Sequence, residues 1–519
     1  MGKVAPPQRI ASAYVVLHGG YGEVSRYARQ RGVRRQRVYR EAAAVQDLLT
    51  HAQAERERLR AQVAQLQQRQ AELERRLSQA VVLDEDKQAE VASVGQARGV
   101  TLRDCRALLE VLLPGRALSV AALGRRTQAA GGRAGPLLAV FDELARPRVR
   151  DALADEIYVP DPVLMVVEPE SLCWLTGRRS PEVSGTAWAR ELAALPHLEQ
   201  VTRDGGPALE KGVALVNAQR QARGQQPVVD QGDHFHALRG AGVGLRKAEA
   251  QARQALAKAE AAQQALAACA REGHKRTGPA VRASAAWKQA ERAMDAWQEQ
   301  EWQWHRAKGA LQLFTAAGEL NTRAQAEAVL AEVLPRLPDG GFAKVKRQLH
   351  KPEMLSYLDR VGQQIAALPF APEVKEAAVQ QEGIRRRPEA LQGTRPQAAA
   401  LRGILLLCTV ILSRAEEGAR AVTAVRDIVR GAYRASSLVE CINSVLRMHQ
   451  AGHRRLTQGL LDLKRLYWNS HRFDSGRRRQ TTPYERLGVP WPAGMTWWQV
   501  LKLTPEQLRE KLSTAREAG

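Results

Sequence analysis

The chain has 519 residues, 78 Lys and Arg against 55 Asp and Glu for a net charge of +23, and a hydrophobic fraction of 44%. That much apolar material excludes wholesale disorder and suggests three or four domains, while five singly placed cysteines (Cys105, Cys173, Cys269, Cys408, Cys441) exclude a disulfide framework or zinc ribbon and suit a reducing, cytoplasmic setting. The cationic surplus points to a polyanionic partner, with nucleic acid ahead of a membrane surface.

Residues 1–45 read as a compact helical unit. A first helix ends at Gly19-Gly20-Tyr21-Gly22, a second covers Glu23 to Gln30, and after a tight turn at Gly32-Val33 a third runs from Arg34 to Ala44. The pattern is helix-turn-helix. Ala28 is expected at the helix crossing and Val33 and Val38 inside. Arg34, Arg35, Gln36, Arg37, Tyr39 and Arg40 form an outer face suited to double-stranded DNA, or simply a solvated basic helix. From Val45 to about Val81, in a segment read as residues 46–99, the apolar positions Val45, Leu49, Ala52, Leu59, Val63, Leu66, Leu73 and Leu77 step by fours and threes, with Arg56 and Gln70 interrupting the seam. This is a coiled-coil pattern, and burying its seam calls for a homodimer, a higher oligomer or a helix folded back on it.

Residues 100–150 read as a second small helical domain, a further helix-turn-helix or a packing unit. Its helices cover Leu102 to Leu113, Ser119 (as N-cap) to Thr127, and Pro136 to Ala145, with turns at Pro114-Gly115 and Gly131-Gly132. From Ala154 the character changes. Runs at Asp155–Val159, Val163–Val167 and Leu172–Leu175, parted by proline turns, predict a three-stranded meander. A helix at Gly185–Leu195, a strand at Leu198–Thr202, a helix from Ala208 and a strand at Pro227–Asp230 follow, making a mixed sheet layered with helices over residues 151–238. Residues 239–430 show helical signals only, with loops at Gly340-Gly341, Pro369–Pro372 and Arg385–Pro396. Trp287, Trp297, Trp302 and Trp304 fall in one helical segment, where helix packing is expected and base stacking is the alternative. Gly403–Leu412 is too short to span a bilayer and reads as a buried core helix. Residues 431–519 hold a helix with Glu440, and between Arg447 and Arg486 ten cations, including Arg454, Arg455, Arg472, Arg477, Arg478 and Arg479, face three acids.

Asp155 on the first strand, Asp204 after the fourth and Glu440 on the late helix can meet only if sheet and helix pack together. At Ala154-Asp-Glu-Ile-Tyr158, Val201-Thr-Arg-Asp-Gly-Gly206, Asp233-His-Phe-His236, Ser436-Ser-Leu-Val-Glu-Cys-Ile-Asn-Ser444, Leu463-Lys-Arg-Leu-Tyr-Trp-Asn469 and Thr482-Pro-Tyr-Glu-Arg-Leu-Gly-Val489 the sequence resembles the DDE transposases of bacterial insertion sequences. The resemblance implies a multidomain α+β protein: an N-terminal helix-turn-helix and coiled coil, then a ribonuclease H-like mixed-sheet catalytic domain interrupted by a large helical insertion. The insertion follows from the 236 positions between Asp204 and Glu440, against 49 between Asp155 and Asp204.

It further implies that Asp155, Asp204 and Glu440 are catalytic and bind two Mg²⁺ or Mn²⁺ ions, hard cations that suit oxygen ligands and in-line phosphodiester displacement. Element ends and target DNA would be the partners, with no membrane, in a nucleoid-associated bacterial protein. Arg454 and Arg455 join Arg34–Arg40 as candidate DNA contacts. Asp233 and His236 are secondary site candidates, and Glu168 could approach the same place. Glu156, next to Asp155, would point to the opposite sheet face. His234 and His236 would shape the end of the fifth strand or contact DNA, and the i, i+4 pair His449 and His453 lacks a third metal ligand. An inactive transposase-derived DNA-binding protein and a ribonuclease H-like nuclease are the alternative readings.

Overall fold

The computed structural model describes residues 7–79, 82–452 and 456–517. It is mostly helical (71%) with one five-stranded mixed sheet, the make-up of an α+β protein. The chain divides into two compact units, Met1–Asp84 and Glu85–Gly519, rather than three or four.

In the first unit, α1 (Pro7–His18), α2 (Glu23–Gln30) and α3 (Arg35–Gln79) follow the expected order. Gly22 and Gly32 hold the two turns with positive φ, where a side chain would strain the backbone. Ala28 and Val38 are buried and Val33 is half-buried, while Ala13, Ala42 and Val45 form a small core with Val16. Such a core is thin, and a polar knot supplements it. The Glu41 carboxylate accepts from Arg31 at 2.7 Å and Ser12 at 2.7 Å, which holds its pKa down at about 2. α3 continues for 45 residues without a break at position 45, so the basic third helix and the heptad segment are one rod. Its seam residues Leu59, Val63, Leu66 and Leu73 are exposed, Leu66 at 66%.

The second unit opens with α4 (Glu85–Ala97), α5 (Leu102–Leu112) and α6 (Val120–Ala145), then β1 (Asp151–Val159), β2 (Asp161–Val167), β3 (Trp174–Arg179), α7 (Gly185–Ala193), β4 (Gln200–Arg203), α8 (Pro207–Ala222) and β5 (Val229–Gly232). The strand order is β3-β2-β1-β4-β5. The β1–β2 and β2–β3 pairs are antiparallel, and β4 and β5 join in parallel through helical crossovers. Both sheet faces are covered. Ala152, Ala154, Leu164 and Val166 pack on Leu137, Leu138 and Phe141 of α6 and Trp188 of α7, whereas Leu153, Ile157, Met165 and Val167 pack on Val439, Ile442 and Leu446 from late in the chain.

A helical insertion leaves the sheet directly after β5. It comprises α9 (His234–Arg271), α10 (Thr277–Ala310), α11 (Arg323–Val333), α12 (Asp339–Leu349), α13 (Ser356–Ala366), α14 (Pro372–Arg385), α15 (Pro396–Arg414) and α16 (Gly418–Arg430), with a core of its own. The chain then returns through α17 (Val439–Gly452), α18 (Gln458–Ser470), α19 (Pro483–Arg486), α20 (Trp497–Val500) and α21 (Pro505–Glu517). Buried polar groups of α18 finish the edge strand: Asn469 exchanges hydrogen bonds with the backbone of Trp174, and Arg465 donates to the Trp174 carbonyl. At α19, Thr482 and Glu485 close a capping box, and Tyr484 stacks on Phe141 at 4.8 Å.

Several expectations are corrected. Residues 100–150 are no separate domain, because α6 is a core helix under the sheet, and α4 belongs to this unit rather than to the heptad rod. Ser119 is the N-cap of α6, but Gly131-Gly132 is no turn: a Cβ on Gly131 would lie 2.6 Å from the Gly459 carbonyl oxygen, so this glycine lets α6 and α18 touch. Gly340 and Gly341 likewise sit inside α12, where Gly341 meets Gly244 of α9. β4 and β5 end one and two residues later than expected, at Arg203 and Gly232. α15 is not a buried core helix. Cys408 and Leu412 face inward, but Leu406 and Leu407 are 66% and 59% exposed. Among the described residues it is the one helix long and apolar enough to cross a membrane. Of the four tryptophans on α10, only Trp304 is buried; Trp302 is exposed beneath the Arg306 guanidinium, 5.0 Å away.

The α6–α18 contact gives a paired test. Gly131→Ala should lower thermal stability, by about 1–3 kcal/mol for an overpacked contact. Gly132→Ala, exposed on the same helix with nothing within 4 Å of its added Cβ, should raise it by about 0.5–1 kcal/mol. Equal melting shifts in the two variants would refute this reading of the contact.

Candidate active site

The site follows from register. In the parallel ladder Ala154 pairs with Arg203, and Arg203 pairs with Gly232. The next residue on each line is therefore Asp155, Asp204 and Asp233, one row across neighbouring chains that lie about 4.8 Å apart in a sheet. Three of the acids singled out in the sequence are thus set side by side at one end of the sheet.

Asp155 points to the face covered by α17 and is only 6% exposed. The amide nitrogen of Asn443 on α17 donates to its Oδ2 at 2.8 Å, and the Glu156 backbone N–H donates to its Oδ1 at 2.8 Å. Glu440 lies one turn before Asn443 on the same helix, half-buried. The Asp155 pKa rises to about 6: burial is the main cause, Asp204 adds charge repulsion, and Glu440 adds a smaller share. Asp204 and Glu440 are therefore electrostatic neighbours of Asp155. Glu440 is itself held by Arg447, at 2.6 and 3.4 Å.

Asp233 flanks the row in a structural role. One oxygen caps α9 through the Phe235 N–H at 2.6 Å; the other takes hydrogen bonds from Ser436 at 2.7 Å and His236 Nδ1 at 2.6 Å. His236 is raised in pKa, first by the bond to Asp233 and more weakly by the charges of Asp155 and Asp204, so its ring borders the site. His234 instead faces inward to the Met354 carbonyl, and burial pulls its pKa down to about 4.

The position of Asp204 is secured by the residue before it. Arg203 is almost wholly buried and grips Asp230 with two bonds of 2.8 and 2.7 Å, reaches Glu353 at 3.3 Å, and donates to the Asp204 carbonyl at 3.1 Å. These bonds tie the end of β4 to β5 and to the insertion.

Other expectations separate from the site. Glu156 faces away, as alternation requires, and accepts from Trp188 at 2.6 Å. Glu168 does not approach; it builds the turn after β2, accepting from the Glu170 and Ser171 N–H groups at the far end of β1. Arg477, Arg478 and Arg486 gather on Glu170 in that same turn, and Arg472 pairs with Glu485, so these cations stabilise the turn rather than line the acids. His453, Arg454 and Arg455 lie outside the described residues. Arg34, Arg35, Gln36, Arg37, Tyr39 and Arg40 are all exposed on the first unit, with Arg35 bonded to Ser25 and Arg37 to Glu41.

Sequence reasoning missed Asn443, Ser436 and Arg203. The i, i+3 spacing of Glu440 and Asn443 was the one available sign, since it places both on one helix face.

Asp155, Asp204 and Glu440 carry only oxygen donors, the chemistry that a hard divalent cation takes. Among the described residues no group of three acids, histidines or cysteines already stands in a metal-ligand arrangement, and Glu440 would have to leave Arg447 to complete one. No known protein family, curated protein or solved structure matches the chain.

The crowding predicts a stability signature. An unfolded aspartate ionises near 3.9, whereas Asp155 keeps its proton to about pH 6. Between these values the native state binds the extra proton, so the contribution of Asp155 to stability is greatest below about pH 4 and falls as pH rises to about 6, by on the order of 3 kcal/mol. Asp155→Asn should remove this penalty and, in EDTA, melt higher than wild type at pH 7.5 but not at pH 4. An equal shift at both pH values would show that Asp155 is not held against its charge.

Proposed function

We propose that the chain is a DDE transposase, a metal-dependent phosphodiester-cleaving and strand-transferring enzyme acting on double-stranded DNA. The observation that carries this reading is the register that sets Asp204, directly after β4, beside Asp155 of the parallel strand β1, with Glu440 on the helix α17 that covers Asp155 and returns after an insertion of some two hundred residues. The five-stranded mixed sheet, begun by hairpins and completed by crossovers, supports a ribonuclease H-like core. The exposed arginines near the start of α3, after two short helices and a glycine turn, support a helix-turn-helix that reads element ends.

In this reading Asp155, Asp204 and Glu440 would hold two Mg²⁺ or Mn²⁺ ions, whose chemistry would be activation of the attacking oxygen of water or a 3′-hydroxyl. Asn443 orients Asp155, Arg203 fixes the backbone of Asp204, and Asp233 sets His236 at the edge of the site. The exposed seam of α3 pairs two chains so that two DNA ends are held together.

Nicking of duplex DNA carrying the element ends should require Mg²⁺ or Mn²⁺. It should fall by about 100-fold or more in Asp204→Ala and Glu440→Ala, several kcal/mol of transition-state stabilisation. DNA binding with equal residual cleavage in wild type and both variants would leave an inactive DNA-binding protein. Cleavage without joining of the 3′ end to a second duplex would leave a nuclease. Leu59→Gln with Leu66→Gln should convert a dimer to monomer in analytical ultracentrifugation; an unchanged mass would place the dimer contact elsewhere.

A further inference from the structure

A cavity of about 260 Å³ lies beside the row of acids, between the ends of β4 and β5 and the helix α12 of the insertion. Its floor holds Asp204 and Asp233, and its outer wall holds Lys344, Arg347, Gln348 and Lys351. These four positions, at i, i+3, i+4 and i+7, belong to one face of α12 and the turn after it, while Phe342, Val345 and Leu349 on the other face are buried in the insertion core. α12 is thus anchored by its apolar side and turns a cationic side toward the acids.

The charges around this cavity are unequally matched. Arg203 is bound by Asp230 and Glu353, and Lys351 by Glu210 at 2.7 Å. Lys344 and Arg347 are exposed and form no ion pair among the described residues. The buried Oε1 of Gln348 has no hydrogen-bond partner. The Gln348 Nε2 amide, a donor, lies beside Gly205 of the lining, 3.8 Å from where a Cβ on that glycine would stand. Two unspent cations and a donor amide form a site for an anionic oxygen cluster. At roughly 30 Å³ per water, the volume suits a phosphodiester group with its sugar and not a duplex.

We infer that Lys344 and Arg347 of the insertion hold a backbone phosphate of the DNA strand that passes Asp204, so that the helical insertion grips the strand being cut. The inference rests on the nucleic-acid reading above and adds to it a second binding surface, on a different unit from the arginines of α3. Phosphate contacts position a strand without reading its sequence, and each releases condensed counterions.

The test is a salt series of anisotropy measurements with the full-length chain and a 30-base-pair duplex of arbitrary sequence. Lys344→Gln with Arg347→Gln should weaken binding several-fold at 100 mM salt. It should also reduce the slope of log K against log salt by about 0.9, the share of the one phosphate no longer neutralised. Arg282→Gln with Lys288→Gln on α10 removes the same two charges from exposed positions and should leave the slope within about half a unit of wild type. Equal slope changes in the two double variants, or none in the first, would overturn the inference while leaving the DNA reading intact. No duplex binding by wild type would instead remove the nucleic-acid reading and this inference with it. Matching melting curves would show that all variants are folded.

Discussion

Parallel pairing in step brings the acids of this protein together. β1, β4 and β5 are joined so that Ala154, Arg203 and Gly232 lie on one line, which leaves the three following aspartates as neighbours with no freedom to separate. Like charges so placed repel, and a fold keeps such an arrangement only when the surrounding structure holds it. Here that structure is α17 with Asn443 on one side and the Arg203 knot on the other. Strain of this kind concentrates at functional sites, because a site optimised for stability would carry no unmatched charge.

The rest of the second unit can be understood as support for that row. α6 and α18 touch through Gly131 and Gly459 below the sheet, α18 satisfies the edge of β3, and α17 returns from the insertion to cover β1. The insertion is tied back to the sheet at Arg203–Glu353 and to α8 at Lys351–Glu210, so it shares a wall with the acids.

Much of this was legible in the sequence, where the signal was local. The strands of the meander declare themselves through β-branched runs between prolines, and the carboxylates of Asp155 and Asp204 through their places on and after strands. Failures came where a residue's meaning lies in a distant partner. Gly131 and Gly341 are written like turn glycines, but each is small because another helix backbone presses on it. The apolar run in α15 has the composition of a core helix, yet much of it faces outward, because periodicity within an unbroken apolar run is hidden. The arginines 472 to 486 count as positive charge, but most are matched by Glu170 and Glu485. Beyond the helical spacing of Asn443 from Glu440, Asn443 and Ser436 carry no mark until the fold delivers them to Asp155 and Asp233.

The continuity of α3 has a mechanical meaning. At 1.5 Å per residue its 45 residues make a strut about 68 Å long, whereas a flexible segment of equal length would average about 30–40 Å between its ends. The strut spans about two turns of a DNA duplex, at roughly 34 Å per turn. Its two ends are thus kept apart by a set reach, which a flexible linker would replace with a broad distribution of distances.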